Sequence, residues 1–266
     1  MSSAYASTSN EGLLRSFRAE RLRVEIYETR RQLGAAAARV AASEIRRAIE
    51  ERGKASVLLA SAPSQIEMLA GLVAASVGWR RVVAFHVDEY LGVDDRAPHS
   101  FRRFLLDRVI SRVPIAAFHG LRGEAPDAEE ECRRYAALLE TAPPDDALLG
   151  IGENGHLAFN DPSNADFNDS TMVRVVELEE SCRLQQVHDG VFSTLAEVPA
   201  RALTLSIPAI LKVPTLVVAV PGPTKQRAVQ AAIEGPVSPQ CPASILRTHP
   251  GAHLFLDRES AALLPL

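Results

Sequence analysis

The chain has 266 residues, 47% of them hydrophobic, with a formal net charge of -4 and a sequence pI of about 6.0. That size and apolar content suffice for a large buried core, while the acidic balance and scattered arginines exclude a nucleic-acid surface. The apolar runs fall far short of the ~20 residues a membrane span needs, and Cys132, Cys182 and Cys241 form no Cys-x-x-Cys pair, which excludes zinc-ribbon and thioredoxin readings.

Isolated, reduced thiols fit a cytoplasmic protein. Residues 1–20 are rich in Ser and Ala and lack a continuous apolar run. They are expected to be a disordered N-terminus rather than a secretory signal. Leu22, Val24 and Ile26 alternate with charged residues, which predicts a short edge strand. Thr29 is placed to cap a helix over residues 30–53, with Leu33, Ala37, Val40, Ile45 and Ile49 along one face. A strand over 56–60 and a helix over 64–76 follow. The run at 81–87 predicts a strand, with a helix over 100–110 after a loop. A helix over 127–140 precedes a strand ending at Leu149. Strands are predicted over 202–206 and 215–220, a helix over 224–233, and a last strand over 253–256. Alternation of this kind means an α/β fold: a Rossmann-like, mainly parallel sheet with helices on both faces. No repeat or composition break divides the chain, so residues 21–266 are expected to form one domain.

Four loops at strand ends concentrate polar residues, and such loops are where α/β proteins keep their chemistry. The densest is Gly150-Ile-Gly-Glu-Asn-Gly-His-Leu-Ala-Phe-Asn-Asp-Pro162, with one histidine, two amides and two carboxylates. Its Gly150, Gly152 and Gly155 match a dinucleotide fingerprint in form, with Glu177 as a ribose-binding acid. Asn160-Asp-Pro162 interrupts the helix that fingerprint requires, so no dinucleotide site is expected. In the second loop Asp88 and Glu89 follow a strand. A partly desolvated Asp there has a raised pKa and can take a carbon-bound proton; the same pair also fits a helix cap or a surface acid pair. In the third, Val220-Pro-Gly-Pro-Thr-Lys225 precedes a helix. Its free N–H groups and Lys225 favour an anion, though a Pro-Gly turn capped by Thr224 would look the same. The fourth, Ser61-Ala-Pro-Ser64, offers hydroxyls to phosphate oxygens.

Together, Val87-Asp-Glu-Tyr-Leu-Gly92, residues 150–162, Ala202-Leu-Thr204 and Gly222-Pro-Thr-Lys225 resemble the glucosamine-6-phosphate deaminase family, over a span from about Val24 to Phe255. The resemblance implies a Rossmann-like sheet without a dinucleotide. It also implies conversion of glucosamine 6-phosphate and water to fructose 6-phosphate and ammonia, with no metal or organic cofactor. Asp88 would carry the proton from C2 to C1. His156 would open the sugar ring, held by Asn154 and Asp161. Lys225 would pair with the phosphate. Ser61, Ser64, Glu89, Gly155 and Arg183 complete the implied substrate- and phosphate-binding set. The partner implied is a small sugar phosphate, with no nucleic acid or membrane; the family contains both hexamers and smaller assemblies, so a homo-oligomer is compatible with the resemblance.

The chain departs from the family in two places. Ala62-Pro63-Ser64-Gln65 replaces a Gly-Gly-Thr/Ser-Pro turn, and His188 stands where a phosphate-binding arginine is expected, with Arg247 the candidate to compensate. Pro63 removes an N–H donor. Two other readings share the motifs. One is a sugar-phosphate lactonase using His156 as a base on water without Asp88. The other is a non-catalytic sugar-phosphate-binding protein.

Overall fold

The computed structural model describes residues 11–265. Eleven strands are seen among them: β1 Leu13–Ala19, β2 Leu22–Tyr27, β3 Ala55–Leu59, β4 Val82–His86, β5 Asp88–Tyr90, β6 Ala117–His119, β7 Asp146–Leu149, β8 Val173–Glu177, β9 Arg201–Leu205, β10 Thr215–Val220 and β11 Ala252–Asp257. Eight of these form one sheet in the order β1-β2-β11-β10-β7-β3-β4-β6. Every pairing in it is parallel except the β1–β2 hairpin.

The apolar runs form parallel strands because both faces are covered. Successive residues of one strand enter different cores, as a period of 2 requires. Leu58, Ala147, Leu149, Leu216 and Val218 pack on one side. The helices α4 (Ala128–Thr141), α6 (Ile207–Leu211) and α7 (Gln226–Glu234) cover that side. Val57, Leu59, Leu148, Val217 and Ala219 pack on the other. It is covered by α1 (Arg30–Arg52), α2 (Ile66–Ala74) and α3 (Phe101–Arg108). The predicted cap of α1 is present: Thr29 accepts from the Gln32 N–H at 3.3 Å. The helix ends at Gly53, whose φ of 77° lets its N–H reach Ile49 O.

The remaining three strands, in the order β5-β9-β8, make a small antiparallel sheet. It packs with α5 (Glu180–His188) around a third cluster that includes Tyr90, Phe101, Phe159, Cys182 and Phe192.

Several expectations change. Residues 13–19, expected to be disordered, form β1; residues 1–10 lie outside the described residues. β1 takes the edge, so β2 is an inner strand rather than the predicted edge strand. The strand predicted over 202–206 is not in the parallel sheet but is the centre of the small antiparallel one. β5, β6, β8, α5 and α6 were not predicted; β5 has three residues and α6 five. β6 has three residues, too short to show a period, and β8 and α5 have mixed burial that hides one.

Candidate active site

β3 and β7 lie side by side at the centre of the sheet, and the chain leaves them toward different faces. Such a switch point opens a crevice at the carboxyl ends of the strands. A small open cavity lies there, lined among others by Ser61, Ser64, Asp88, Gly152, His156, Gln185, Gln186 and Asp189. The predicted loops after β3, β4 and β7 therefore converge on one place.

Asp88 sits where the chain passes from the large sheet to the small one. The Val87 N–H bonds Leu59 O at 3.1 Å, and Val87 O accepts from the Leu205 N–H at 2.9 Å. Asp88 itself pairs with Thr204 of β9. Its carboxyl is nearly enclosed, at 6% exposure. Burial first, and the adjacent Glu89 charge second, hold its pKa well above the usual carboxylate range.

His156 is held by a small network. Its Nδ1 lies 2.8 Å from Asn154 Oδ1 and 3.3 Å from Asp161 Oδ1. Asn154 Nδ2 donates to Asp161 Oδ1 at 2.9 Å, which orients the amide so that its oxygen faces the imidazole. Both neighbours of Nδ1 are acceptors, so the proton of the neutral ring resides there and Nε2 keeps its lone pair. Burial pushes the Asp161 pKa up, but the bonds from His156, Asn154 and the Glu179 N–H outweigh it and hold the carboxyl below its ordinary value. Asp161 is the fixed negative charge of the network.

The loop that carries His156 is stapled from below. Asn160 Nδ2 donates to Leu157 O at 2.8 Å and to Leu205 O at 2.9 Å. The Phe159 N–H donates to Thr204 Oγ1 at 3.1 Å. Thr204 thus supports the loop of His156 from the strand position that pairs with Asp88. Gly152 is required by packing: a Cβ there would lie 2.1–2.3 Å from three atoms of the imidazole.

Other predicted residues fall elsewhere. Ser61 and Ser64 line the cavity, although the Ser61 hydroxyl already donates to Phe101 O at 3.2 Å. Lys225 is 4% exposed and is not among the cavity-lining residues. Burial lowers its pKa, while the charges of Asp189 and Glu153 raise it. Gly155 contributes backbone: φ is 87°, and its carbonyl accepts from the Ala243 N–H at 2.8 Å.

Glu89, expected to bind substrate, does not reach the cavity. It is fully buried, and its oxygens accept from the Tyr90 N–H, the Ser100 hydroxyl and the Phe101 and Arg102 N–H groups at 2.8–3.1 Å. Its role is to close the N-terminus of α3. Arg183, also expected at the substrate, instead donates to Leu195 O at 2.8 Å and Val198 O at 2.9 Å. His188 turns to Glu153 Oε2 at 3.3 Å. Arg247 does not compensate: its Nη1 and Nη2 donate to Ile233 O and Gly235 O at the end of α7.

Gln185, Gln186 and Asp189 were missed because residues 180–189 carry no recognisable motif. The signal available was polar side chains spaced along one helical turn. Donor atoms of His156, Asp161 and Cys182 lie within 4.8 Å of one another. They do not fit a metal, because His156 Nδ1 and Asp161 are engaged in hydrogen bonds. Burial and the Asp161 charge also push the Cys182 thiol well above its ordinary pKa.

Residues 28–255 match the profile of a family described as glucosamine-6-phosphate isomerases/6-phosphogluconolactonase. A Bacillus cytotoxicus protein named glucosamine-6-phosphate deaminase is 32% identical over 219 residues, 82% of each chain. One of the same name from Listeria monocytogenes is 34% identical over 206 residues, 77% of this chain and 86% of the relative. The fold superposes on a solved monomeric glucosamine-6-phosphate deaminase with a TM-score of 0.82 and 30% identity, covering 90% of this chain and 99% of that one. A 6-phosphogluconolactonase from Shewanella baltica shares the fold at a TM-score of 0.73 and 21% identity, over 88% of this chain and 96% of that one.

Proposed function

The chain belongs to the glucosamine-6-phosphate isomerase/6-phosphogluconolactonase family, and on that premise we propose that it converts glucosamine 6-phosphate and water to fructose 6-phosphate and ammonia. The observation that carries this reading is the presence in one cavity of a desolvated carboxyl, Asp88, and an imidazole oriented by Asn154 and Asp161.

His156 Nε2 exchanges a proton with the ring oxygen and opens the pyranose. The C2 proton becomes acidic only beside the free carbonyl, so opening precedes abstraction. Asp88 takes that proton and returns it to C1. Meanwhile O1 gains a proton and the amine nitrogen loses one, leaving a ketimine at C2. Water adds to C2, the C2–N bond breaks, and ammonia leaves. One carboxylate can serve both adjacent carbons where water is excluded, and Asp88 at 6% exposure meets that condition. Ser61, Ser64 and Lys225 are the candidates for the phosphate end, supported by the two hydroxyls that line the cavity and by Lys225 as a buried cation whose charge interacts with that of the cavity-lining Asp189.

We read the catalytic unit as one domain acting in the cytoplasm, extended at its N-terminal side from the expected start at residue 21 to include β1. No helix among the described residues is long and apolar enough to cross a membrane. The test is incubation with glucosamine 6-phosphate while following ammonia and fructose 6-phosphate, with Asp88→Asn as control. Equal amounts of both products, lost in the variant, support the reading. Hydrolysis of a sugar-phosphate lactone that survives in Asp88→Asn would replace it with a lactonase. Binding without turnover of either substrate would leave a non-catalytic sugar-phosphate-binding protein.

A further inference from the structure

The two serines of the cavity differ in what their hydroxyl hydrogens do. The Ser61 hydroxyl donates to Phe101 O at 3.2 Å, so its hydrogen is engaged and lone pairs are what it can offer a ligand. The Ser64 hydroxyl is on the receiving side. Gln65 Nε2 donates to Ser64 Oγ at 3.0 Å and to Ala219 O at 3.2 Å. A carbonyl oxygen only accepts, so the amide nitrogen must be the atom that faces Ala219. The reversed amide would set Oε1 against that oxygen, acceptor against acceptor. With the nitrogen fixed there, Ser64 Oγ accepts from it and keeps its own hydrogen for another partner. The Ser64 hydroxyl donates to none of the described residues, and Ser64 lines the cavity.

Gln65 is held firmly in place. It is 0% exposed, and its Oε1 is buried without a hydrogen-bond partner among the described residues. The side chain fills the space beside Gly150, where a Cβ would come within 2.8 Å of Nε2. The pairing of β7 with β10 ends at Leu149 and Val218, and one residue further Ala219 O turns to the amide instead. Gln65 thus joins the loop after β3 to the ends of β7 and β10, the strand that leads to Lys225. A phosphate dianion takes only donors, and a hydroxyl with a free hydrogen is one.

We propose that Gln65 is a positioning residue for the substrate phosphate: by donating to Ser64 Oγ it commits the Ser64 hydroxyl to donate to a phosphate oxygen, and Ser61 is left to accept. The inference deepens the sugar-phosphate reading of the same cavity and rests on it. Gln65 acts through Ser64 and touches no reacting atom. In the turn Ala62-Pro63-Ser64-Gln65 the proline offers no N–H, and the oriented hydroxyl supplies a donor there.

The test is a double-mutant cycle on KM for glucosamine 6-phosphate in the full chain, with Ser64→Ala, Gln65→Met and both together. Ser64→Ala is expected to raise KM about 10- to 100-fold, as for a hydrogen bond to a charged group, and Gln65→Met about 3- to 10-fold. In each, kcat should stay within about twofold. The double variant should be no worse than Ser64→Ala, since without the hydroxyl the amide has nothing to orient. Ser61→Ala should raise KM less than Ser64→Ala does. Effects that multiply in the double variant, or an unmoved KM in either Ser64→Ala or Gln65→Met, overturn the proposal. If Gln65→Met does not fold, Gln65→Asn, which keeps the amide but shortens its reach, takes its place in the cycle with the same expectations. If glucosamine 6-phosphate binds without turning over, the deaminase reading fails, and the cycle is read on its Kd by calorimetry: coupling there sustains the role of Gln65 and additivity overturns it. If turnover is normal and the cycle is additive, the role of Gln65 fails alone.

Discussion

Gly152 and His156 show how one hydrogen atom decides a site. The imidazole occupies the space that any Cβ at 152 would need, within 2.3 Å of three ring atoms. Gly152→Ala should therefore displace the ring, and a misplacement of ~1 Å costs about 100-fold in rate. Steady-state kinetics on a variant of unchanged circular dichroism measures this, and a loss below about threefold would count against the packing assignment. Asp88 makes a second prediction at this scale. Burial and the neighbouring Glu89 charge both raise its pKa. Burial leaves the Glu89 pKa raised as well, although four hydrogen-bond donors oppose it. In Glu89→Gln that charge is gone, so the Asp88 pKa falls and the base is ionised at lower pH. The acid limb of the kcat/KM profile should move down in pH; a limb that stays or moves up would contradict the assignment of Asp88 as base. The residues of this pair were legible in the sequence, but their division of labour was not. Adjacent residues of a strand point to opposite sides, and which side faced the cavity was a tertiary fact.

At the scale of elements, Glu89 joins β5 to the start of α3. It satisfies three N–H groups and one hydroxyl in a place water does not reach. Glu89→Ala leaves those donors buried without acceptors, at a cost of about 1–3 kcal/mol for a buried group. The expected outcome is a lower denaturant midpoint with unchanged slope, and an unchanged midpoint would refute the clamp. Because Phe101 lines the cavity, loosening this turn should also raise KM. α5 is the element the sequence hid. It contributes Gln185 and Gln186, with Asp189 just past its end, yet its apolar periodicity is weak because one side faces polar side chains rather than core. β9 was recognised as a strand but placed in the wrong sheet. An apolar run states that a strand is buried, not which partner it finds.

For the whole molecule, the sheet carries a buried acid that neither the chemistry nor a good hydrogen bond uses. Asp146 opens β7 at the end remote from the cavity, is 1% exposed, and has no hydrogen bond of good geometry to either oxygen, a loose contact from Thr215 aside. Burial, then the charges of Glu44 and Asp145, push its pKa up to about 8. Between the ordinary carboxylate value of about 4 and the folded value, the unfolded chain has lost a proton that the folded chain keeps. Stability therefore falls as pH rises through that window, by at most ~1.4 kcal/mol per pH unit, and levels off above it. Asp146→Asn should remove this slope. Its Tm should match the wild type near pH 4.5 and exceed it increasingly toward pH 8. Parallel Tm curves across that range would show that Asp146 is not the origin.

The sequence by itself determined the α/β alternation, the parallel sheet, and the loops that would hold Asp88, His156, Asn154 and Asp161. These depend on short-range matters: period, caps, turn residues, and a motif whose members lie within a few residues of one another. Only the tertiary structure decided that Glu89, Arg183 and Arg247 serve the scaffold, that Thr204 supports the His156 loop, and that Asp189 and two glutamines face the cavity. Those assignments depend on donors and acceptors that meet mostly across 11 to 45 positions of chain, and a buried polar group takes its role from the partner that satisfies it.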